Sequence, residues 1–183
     1  MKSEYLFQSD RLGFRNWTDA DLTCLSEMNA DAEVMRYFPN TLTKQESAVQ
    51  LNRYRQHFED KGYTYFAVEL LTTGECIGFI GLMYQDFEAA FTPAVDIGWR
   101  LKKEFWGQGY ATEGAKRCLA FAKNTMKVNK IIAICTIQNI NSEHVMQKIG
   151  MTKKVVFVHP KLKGMRGFEW CCLYEVGVRS YSG

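Results

Sequence analysis

The run Trp106-Gly107-Gln108-Gly109-Tyr110-Ala111-Thr112 places a glycine turn between an apolar, β-rich stretch and a segment whose apolar residues recur at helical spacing. A strand, a tight turn and a helix start together make an anion site. The N–H groups of the helix's first turn lack intrahelical acceptors, the helix dipole adds about half a positive charge, and glycine keeps side chains out of the way. Phosphate suits such a site. The dinucleotide fingerprint G-x-G-x-x-G is not met, because Thr112 stands at the third glycine position and the turn does not follow the first strand. The P-loop ending Gly-Lys-Ser/Thr is missing too. Read alone, the turn fits a phosphate-binding corner, one for ATP or NAD included, and equally a strand-to-helix corner that binds nothing.

Metal and thiol chemistry have little footing. Cys24, Cys76, Cys118, Cys135, Cys171 and Cys172 are scattered through apolar segments without a CxxC pair, and His57, His144 and His159 are far apart. We expect no metal site, reduced thiols in the core, and surface roles for the histidines.

The elements that must position the turn follow from periodicity. Arg11 to Asn16 alternates as a strand, and Thr18-Asp19-Ala20-Asp21 carries helix-capping residues. From Thr43, the residues Ser47, Leu51, Tyr54 and Phe58 form a helical stripe that Lys61-Gly62 stops, after roughly four turns. Tyr63 to Leu71 and Glu75 to Met83 read as a hairpin around Thr72-Thr73-Gly74. Ala94 to Leu101 is the strand entering the glycine turn, and Ala111, Ala115, Cys118, Leu119, Ala122 and Met126 give the following helix its buried stripe. Lys130 to Ile137 reads as a strand covered on both faces, Asn139 to Lys148 as a helix closed by Gly150, and Thr152 to Val158 and Phe168 to Val176 as the last strands. One strand-helix-strand crossover in an antiparallel context predicts an α/β (α+β) fold with a mixed, twisted sheet of about seven strands flanked by about four helices.

The bulk numbers agree with one domain over 1–183. The chain is 46% apolar and 23% charged with a formal net charge of +3, short of a nucleic-acid binder's basic excess and too apolar for disorder. Met1 to Asp10 carries charges, and no uncharged stretch reaches the ~18 to 20 residues that span a bilayer. We expect a cytoplasmic protein with neither nucleic acid nor membrane as partner, monomeric or homodimeric.

Four spaced motifs then carry a family resemblance. They are Val95-Asp96-Ile97-Gly98-Trp99-Arg100-Leu101, Phe105 through Glu113, Asn139-Ile140-Asn141-Ser142 and Met146-Gln147-Lys148-Ile149-Gly150-Met151. In that order the chain resembles the GNAT N-acetyltransferases, and in particular their RimJ/RimL-like branch, which Arg11-Leu12 with Arg15 and Trp17, and Val34-Met35-Arg36-Tyr37-Phe38, also resemble. The resemblance spans about residues 10 to 176. It implies a GNAT fold and transfer of acetyl from acetyl-CoA to a primary amine by direct attack, with no covalent enzyme intermediate.

By the same resemblance, the amides of Gln108, Gly109, Tyr110, Ala111 and Thr112 hold the coenzyme pyrophosphate, with Gly107 permitting the bend. Trp106 departs from the family's Gln/Arg at the head of this motif, at little cost because the grip is by backbone. Trp99 and Leu101 offer backbone to the pantetheine arm, and Asn139 meets it from the far side. An amine must lose a proton to attack, and a departing thiolate benefits from a donor. Asp96, where the family usually carries Glu, is the candidate base, directly or through water; its bland reading is a structural or substrate-orienting acid. Ser142 is the candidate donor to the thiolate or the attacking water, or else a cap in the helix's first turn. The tyrosine general acid of many relatives falls at Met146, and oxyanion stabilisation is expected from a backbone N–H near Trp99.

Trp17, Tyr37, Phe38 and Tyr84, with the loop His159-Pro160-Lys161-Leu162, are candidates to line the acceptor pocket. Glu59, Asp86 and Glu88 are candidates to attract a cationic amine, and Lys153, Lys154, Lys161, Lys163 and Arg166 read as surface. The acceptor stays open between a protein N-terminus and a small polyamine, amino acid or other amine. The rival of another class is a catalytically inactive acetyl-CoA-binding regulatory or interaction protein, suggested by Asp96 in place of Glu and by Met146.

Overall fold

In the computed structural model, which describes residues 4–179 and 181, eight strands form a single sheet. They are β1 (Phe7–Gln8), β2 (Leu12–Arg15), β3 (Tyr65–Leu70), β4 (Cys76–Gln85), β5 (Ala94–Leu101), β6 (Lys130–Thr136), β7 (Thr152–Val158) and β8 (Trp170–Gly177), in the spatial order β1-β2-β3-β4-β5-β6-β8-β7. All neighbours are antiparallel except β5 and β6, which run parallel. Four α-helices cover the sheet: α1 (Leu22–Ala30), α2 (Lys44–Lys61), α3 (Tyr110–Thr125) and α4 (Ile140–Lys148). The expected seven strands become eight because β1 has two residues, too few to display an alternation.

The β5-α3-β6 crossover divides the core between the two faces. Along β5 the side chains alternate, so Val95, Ile97 and Leu101 join Leu12, Phe14, Phe66, Ile80 and the α3 stripe of Ala115, Cys118, Leu119 and Ala122 in one apolar cluster. On the opposite face Phe79 and Met83 of β4 and Ala67 of β3 pack with Trp17, Leu25, Met28, Leu51 and Tyr54 beneath α1 and α2. Each of these large buried side chains contributes about 1.5–3 kcal/mol by leaving water. β6 departs from the expected full cover in its C-terminal half. Ile134 and Cys135 are only half-buried, and Ile137 lies beyond the strand, 37% exposed.

α2 starts where its polar residues direct. Thr43 Oγ1 accepts from the Glu46 amide at 3.2 Å, and the Glu46 carboxylate accepts from the Thr43 amide at 2.7 Å, so two orphan donors are satisfied reciprocally. Thr43→Ala is expected to lower stability by about 1 kcal/mol in urea denaturation. A change below about 0.3 kcal/mol would mean that packing alone holds this end of the helix.

Candidate functional site

β5 and β6 share a single register pair, Asp96 opposite Ile132. Beyond it β5 continues beside β4 to Leu101, and β6 continues beside β8 to Thr136. Each strand keeps its outer neighbour and loses its inner one, so a gap opens in the middle of the sheet. Gly98, Trp99, Arg100, Ile134 and Cys135 are half-exposed there although their strands are central. Backbone groups inside a sheet normally have partners, and a fork of this kind offers two strand edges to an extended ligand with amides of its own. Leu101 is less free than its sequence motif implies, because its carbonyl accepts from Trp106 Nε1 at 2.8 Å.

The glycine turn sits at the start of α3. Gly107 and Gly109 have φ of 72° and 84°, a left-handed region that side chains resist, and Gly109 is the helix N-cap. The first bond into the helix runs from the Glu113 amide to the Gly109 carbonyl at 3.0 Å, leaving the amides of Tyr110, Ala111 and Thr112 as the helix's N-terminal donors. Arg11, just before β2, clamps this turn. Its two terminal nitrogens donate to the Gln108 carbonyl at 3.1 Å each, Nε donates to Glu113 at 2.6 Å, and the guanidinium stacks 4.3 Å from the Tyr110 ring centroid. Burial works to raise the Glu113 pKa, but hydrogen bonds from Ser9 and Arg11 outweigh it and hold the carboxyl below its ordinary range. The clamp spans about 100 residues of sequence, which is why local patterns do not announce it.

Asp96 lies at the vertex of the fork and is buried, 7% exposed. It faces the α1/α2 side, where the Tyr65 hydroxyl donates to its Oδ2; its Oδ1 is buried and has no hydrogen bond among the described residues. Burial pushes the carboxyl up to about 7, against the opposing pull of Tyr65 and Gln85. Tyr65 is itself raised well above its ordinary value, by burial and then by the neighbouring carboxylate. Sequence reading missed Tyr65, which stands 31 residues from Asp96 and meets it only through the β3-β4-β5 pairing.

Across the gap, Asn139 is the N-cap of α4, its side-chain oxygen accepting from the Ser142 amide at 3.1 Å. The capping role weighed for Ser142 therefore belongs to Asn139. The Ser142 hydroxyl makes no hydrogen bond among the described residues, and Ser142 is half-buried. Met146 is buried at 2% exposure in the core, with no polar atom to replace the missing tyrosine.

A cavity of about 190 Å³ opens beside Tyr65, lined by Gln50, Arg53, Tyr54, Met83, Gln85, Phe87, His159 and Lys161 as well. The loop from His159 to Leu162 does border it, through its first and third residues. The expected aromatics do not: Trp17 is core and donates to the Tyr65 carbonyl at 2.6 Å, Tyr84 lies near Lys61, and Tyr37 lies under Arg36. Phe38 covers Arg100. None of Glu59, Asp86 and Glu88 lines the cavity. Two histidines leave the surface roles expected of them: His159 is half-buried in the cavity wall, 4.5 Å from the Phe87 ring centroid, and His57 is half-buried, bridging the Tyr63 carbonyl at 2.7 Å and the Tyr84 amide at 3.1 Å; Lys161 borders the cavity and stays exposed, as expected.

The comparisons agree with this architecture. The chain is 30% identical over 169 residues to YnaD, an uncharacterized N-acetyltransferase of Bacillus subtilis (strain 168), covering 92% of this chain and 93% of that one. It superposes on the crystal structure of a GNAT-family acetyltransferase from Bacillus anthracis with a TM-score of 0.77 at 27% identity, covering 93% and 97% of the two chains. The ribosomal L7/L12 α-N-protein acetyltransferase RimL, in complex with coenzyme A, gives a TM-score of 0.76 at 15% identity, covering 96% and 99%, a likeness of fold alone. Residues 11–152 match the family model of the acetyltransferase (GNAT) domain, and the chain belongs to that family, as an acetyl-CoA-dependent N-acetyltransferase.

Proposed function

We propose that the chain works as one domain over 1–183 that moves the acetyl group of acetyl-CoA directly to a primary amine, on a protein N-terminus or a small molecule. The observation that carries this reading is the fork between β5 and β6, with an orphan-amide helix start nearby and Asp96 at its vertex. These features fit the coenzyme: the amides of Gln108, Gly109, Tyr110, Ala111 and Thr112 suit a pyrophosphate, with Gly107 making the bend. The edges of Trp99 and Leu101, with the free Asn139 side-chain amide opposite, suit its amide-bearing arm. Acetyl-CoA, when bound, supplies an activated thioester.

The chain's own residues then manage protons. Asp96, whose carboxyl burial pushes up to about 7, takes the amine proton in its ionised form, directly or through one water. Tyr65 orients that carboxylate and leaves Oδ1 free. Ser142 offers its hydroxyl toward the departing thiolate. The placement in the RimJ/RimL-like branch rests on the motifs that carry the resemblance, and a cytoplasmic setting fits six cysteines that are all free thiols.

In a thermal-shift experiment, acetyl-CoA at a hundredfold excess over its Kd is expected to add about 2.7 kcal/mol of stability, while ATP and NAD at the same concentration add none. Thiol release should follow on adding an amine. Tight coenzyme binding with no turnover across a broad amine panel would overturn the enzyme reading in favour of a coenzyme-binding regulatory protein.

A further inference from the structure

The charge around the acceptor side of the fork is one-signed. Arg53 of α2 and Lys161 line the cavity beside Tyr65, together with His159, and neither cation has a carboxylate within ion-pair distance among the described residues. Some cations elsewhere do pair, Arg55 with Asp19 at 2.6 Å, Lys130 with Glu175 and Lys153 with Glu143 at 2.8 Å each; what marks the cavity is that two cations and a histidine line it together. No glutamate or aspartate lines the cavity; Asp96 is hydrogen-bonded to Tyr65, which does.

A second, independent observation lies on the same face of β5. Arg100 is held with its guanidinium 4.2 Å from the Phe38 ring centroid and 5.4 Å from that of Phe79. Its Nη1 donates to Asn29 Oδ1 at 2.6 Å, its buried Nε has no acceptor, and no carboxylate pairs with it among the described residues. A half-buried cation whose buried Nε lacks an acceptor and which has no counter-ion is costly in a finished core. It makes physical sense where a ligand brings the negative charge, and guanidinium forks match carboxylate and phosphate oxygens.

We propose that the acceptor is a primary amine carrying an anionic group, carboxylate or phosphate, a few bonds from the nitrogen, with Arg53 and Lys161 recognising the anion while the amine points to Asp96. The inference rests on the acetyl-transfer reading and narrows its substrate class. It sets the chain against polyamine acceptors, whose second positive charge would meet Arg53 and Lys161 without a carboxylate to receive it. The rejection comes from repulsion as much as from a missing attraction. The same positive surroundings lower the pKa of the bound amine and so favour its neutral, attacking form.

The test is a thiol-release panel with acetyl-CoA and matched acceptors: L-amino acids, their carboxamides, acidic dipeptides, aminoalkyl phosphates and α,ω-diamines. At least one anionic class is expected to exceed its uncharged counterpart tenfold or more in kcat/KM, with the diamines below both, and the preferred arm identifies the source of the anion. Arg53→Gln and Lys161→Gln, both on exposed side chains and checked for unchanged melting, should raise KM for the anionic acceptor several-fold with kcat and the carboxamide reaction little altered. Arg53→Glu should shift preference toward the diamine. Carboxamides or diamines used as well as the anionic acceptors, or variants that weaken every acceptor equally, would overturn the inference. Bound acetyl-CoA with no turnover on any arm would overturn the acetyl-transfer reading itself and this inference with it.

Discussion

Asp96→Asn should lower turnover by about 10²–10⁴-fold, the range a positioned general base contributes, while the KM for acetyl-CoA moves little. The asparagine oxygen can still accept from Tyr65, so the site keeps its shape and loses only its base. In the parent protein kcat/KM should fall as pH drops below about 7, because the carboxyl that must accept the proton becomes protonated there. The variant should lose that acidic limb. An unaltered pH profile in the variant would remove Asp96 from the mechanism.

Stability should move the opposite way. The carboxyl ionises near 3.8 in an unfolded chain and near 7 in the fold, so the advantage of its neutral form is complete below about 4 and is lost as pH rises through about 7. Asp96→Asn removes a buried charge and should therefore raise Tm above pH 7, by a free energy of at most roughly 4 kcal/mol for a shift near three units. A purely structural acid would give the reverse, a less stable variant at alkaline pH. The pairing of lost rate with gained stability is what separates the two readings.

Gly109→Asp is the second large effect expected. A Cβ at this position would meet only Arg11 Nη2, at 3.5 Å, so the fold has room for it. The left-handed backbone, with φ of 84°, costs a side chain about 1–2 kcal/mol, part of which the nearby guanidinium offsets. The unliganded protein should therefore still fold. The new carboxylate would lie where the coenzyme pyrophosphate is proposed to sit, and like charges about 4 Å apart at an effective dielectric of 20 repel by about 4 kcal/mol. Affinity for acetyl-CoA should drop by at least about 100-fold in calorimetric titration. Gly109→Ala, which keeps the backbone strain and omits the charge, should lose much less. Equal affinities in Gly109→Asp and the parent would mean that the pyrophosphate lies elsewhere.

Much of the fold was readable one segment at a time. Ala94 to Leu101 and Thr152 to Val158 match β5 and β7, and the stripe of Ser47, Leu51 and Tyr54 is the buried face of α2. These succeed because alternation, helical spacing and capping chemistry act over a few residues. The two-residue β1 carries no such period, and the end of β6 reads as fully covered because its sequence stays apolar where the sheet has already parted.

The amino-acid sequence by itself displayed the side proposed to hold the donor: a glycine turn feeding a helix start, set among motifs in a recognisable order. That side rests on backbone amides, which any sequence able to make the turn will present. The side proposed for the acceptor is visible only in the tertiary structure. Tyr65 beside Asp96, and Arg53 and Lys161 around one cavity, are joined across distant strands, helices and loops, as Arg11 is to the Gln108 carbonyl at the glycine turn. Charge in a pocket is a sum over side chains brought together by folding, so Asp86 and Glu88, close to Asp96 in sequence, do not line the cavity. Basic residues far apart in the chain set its sign.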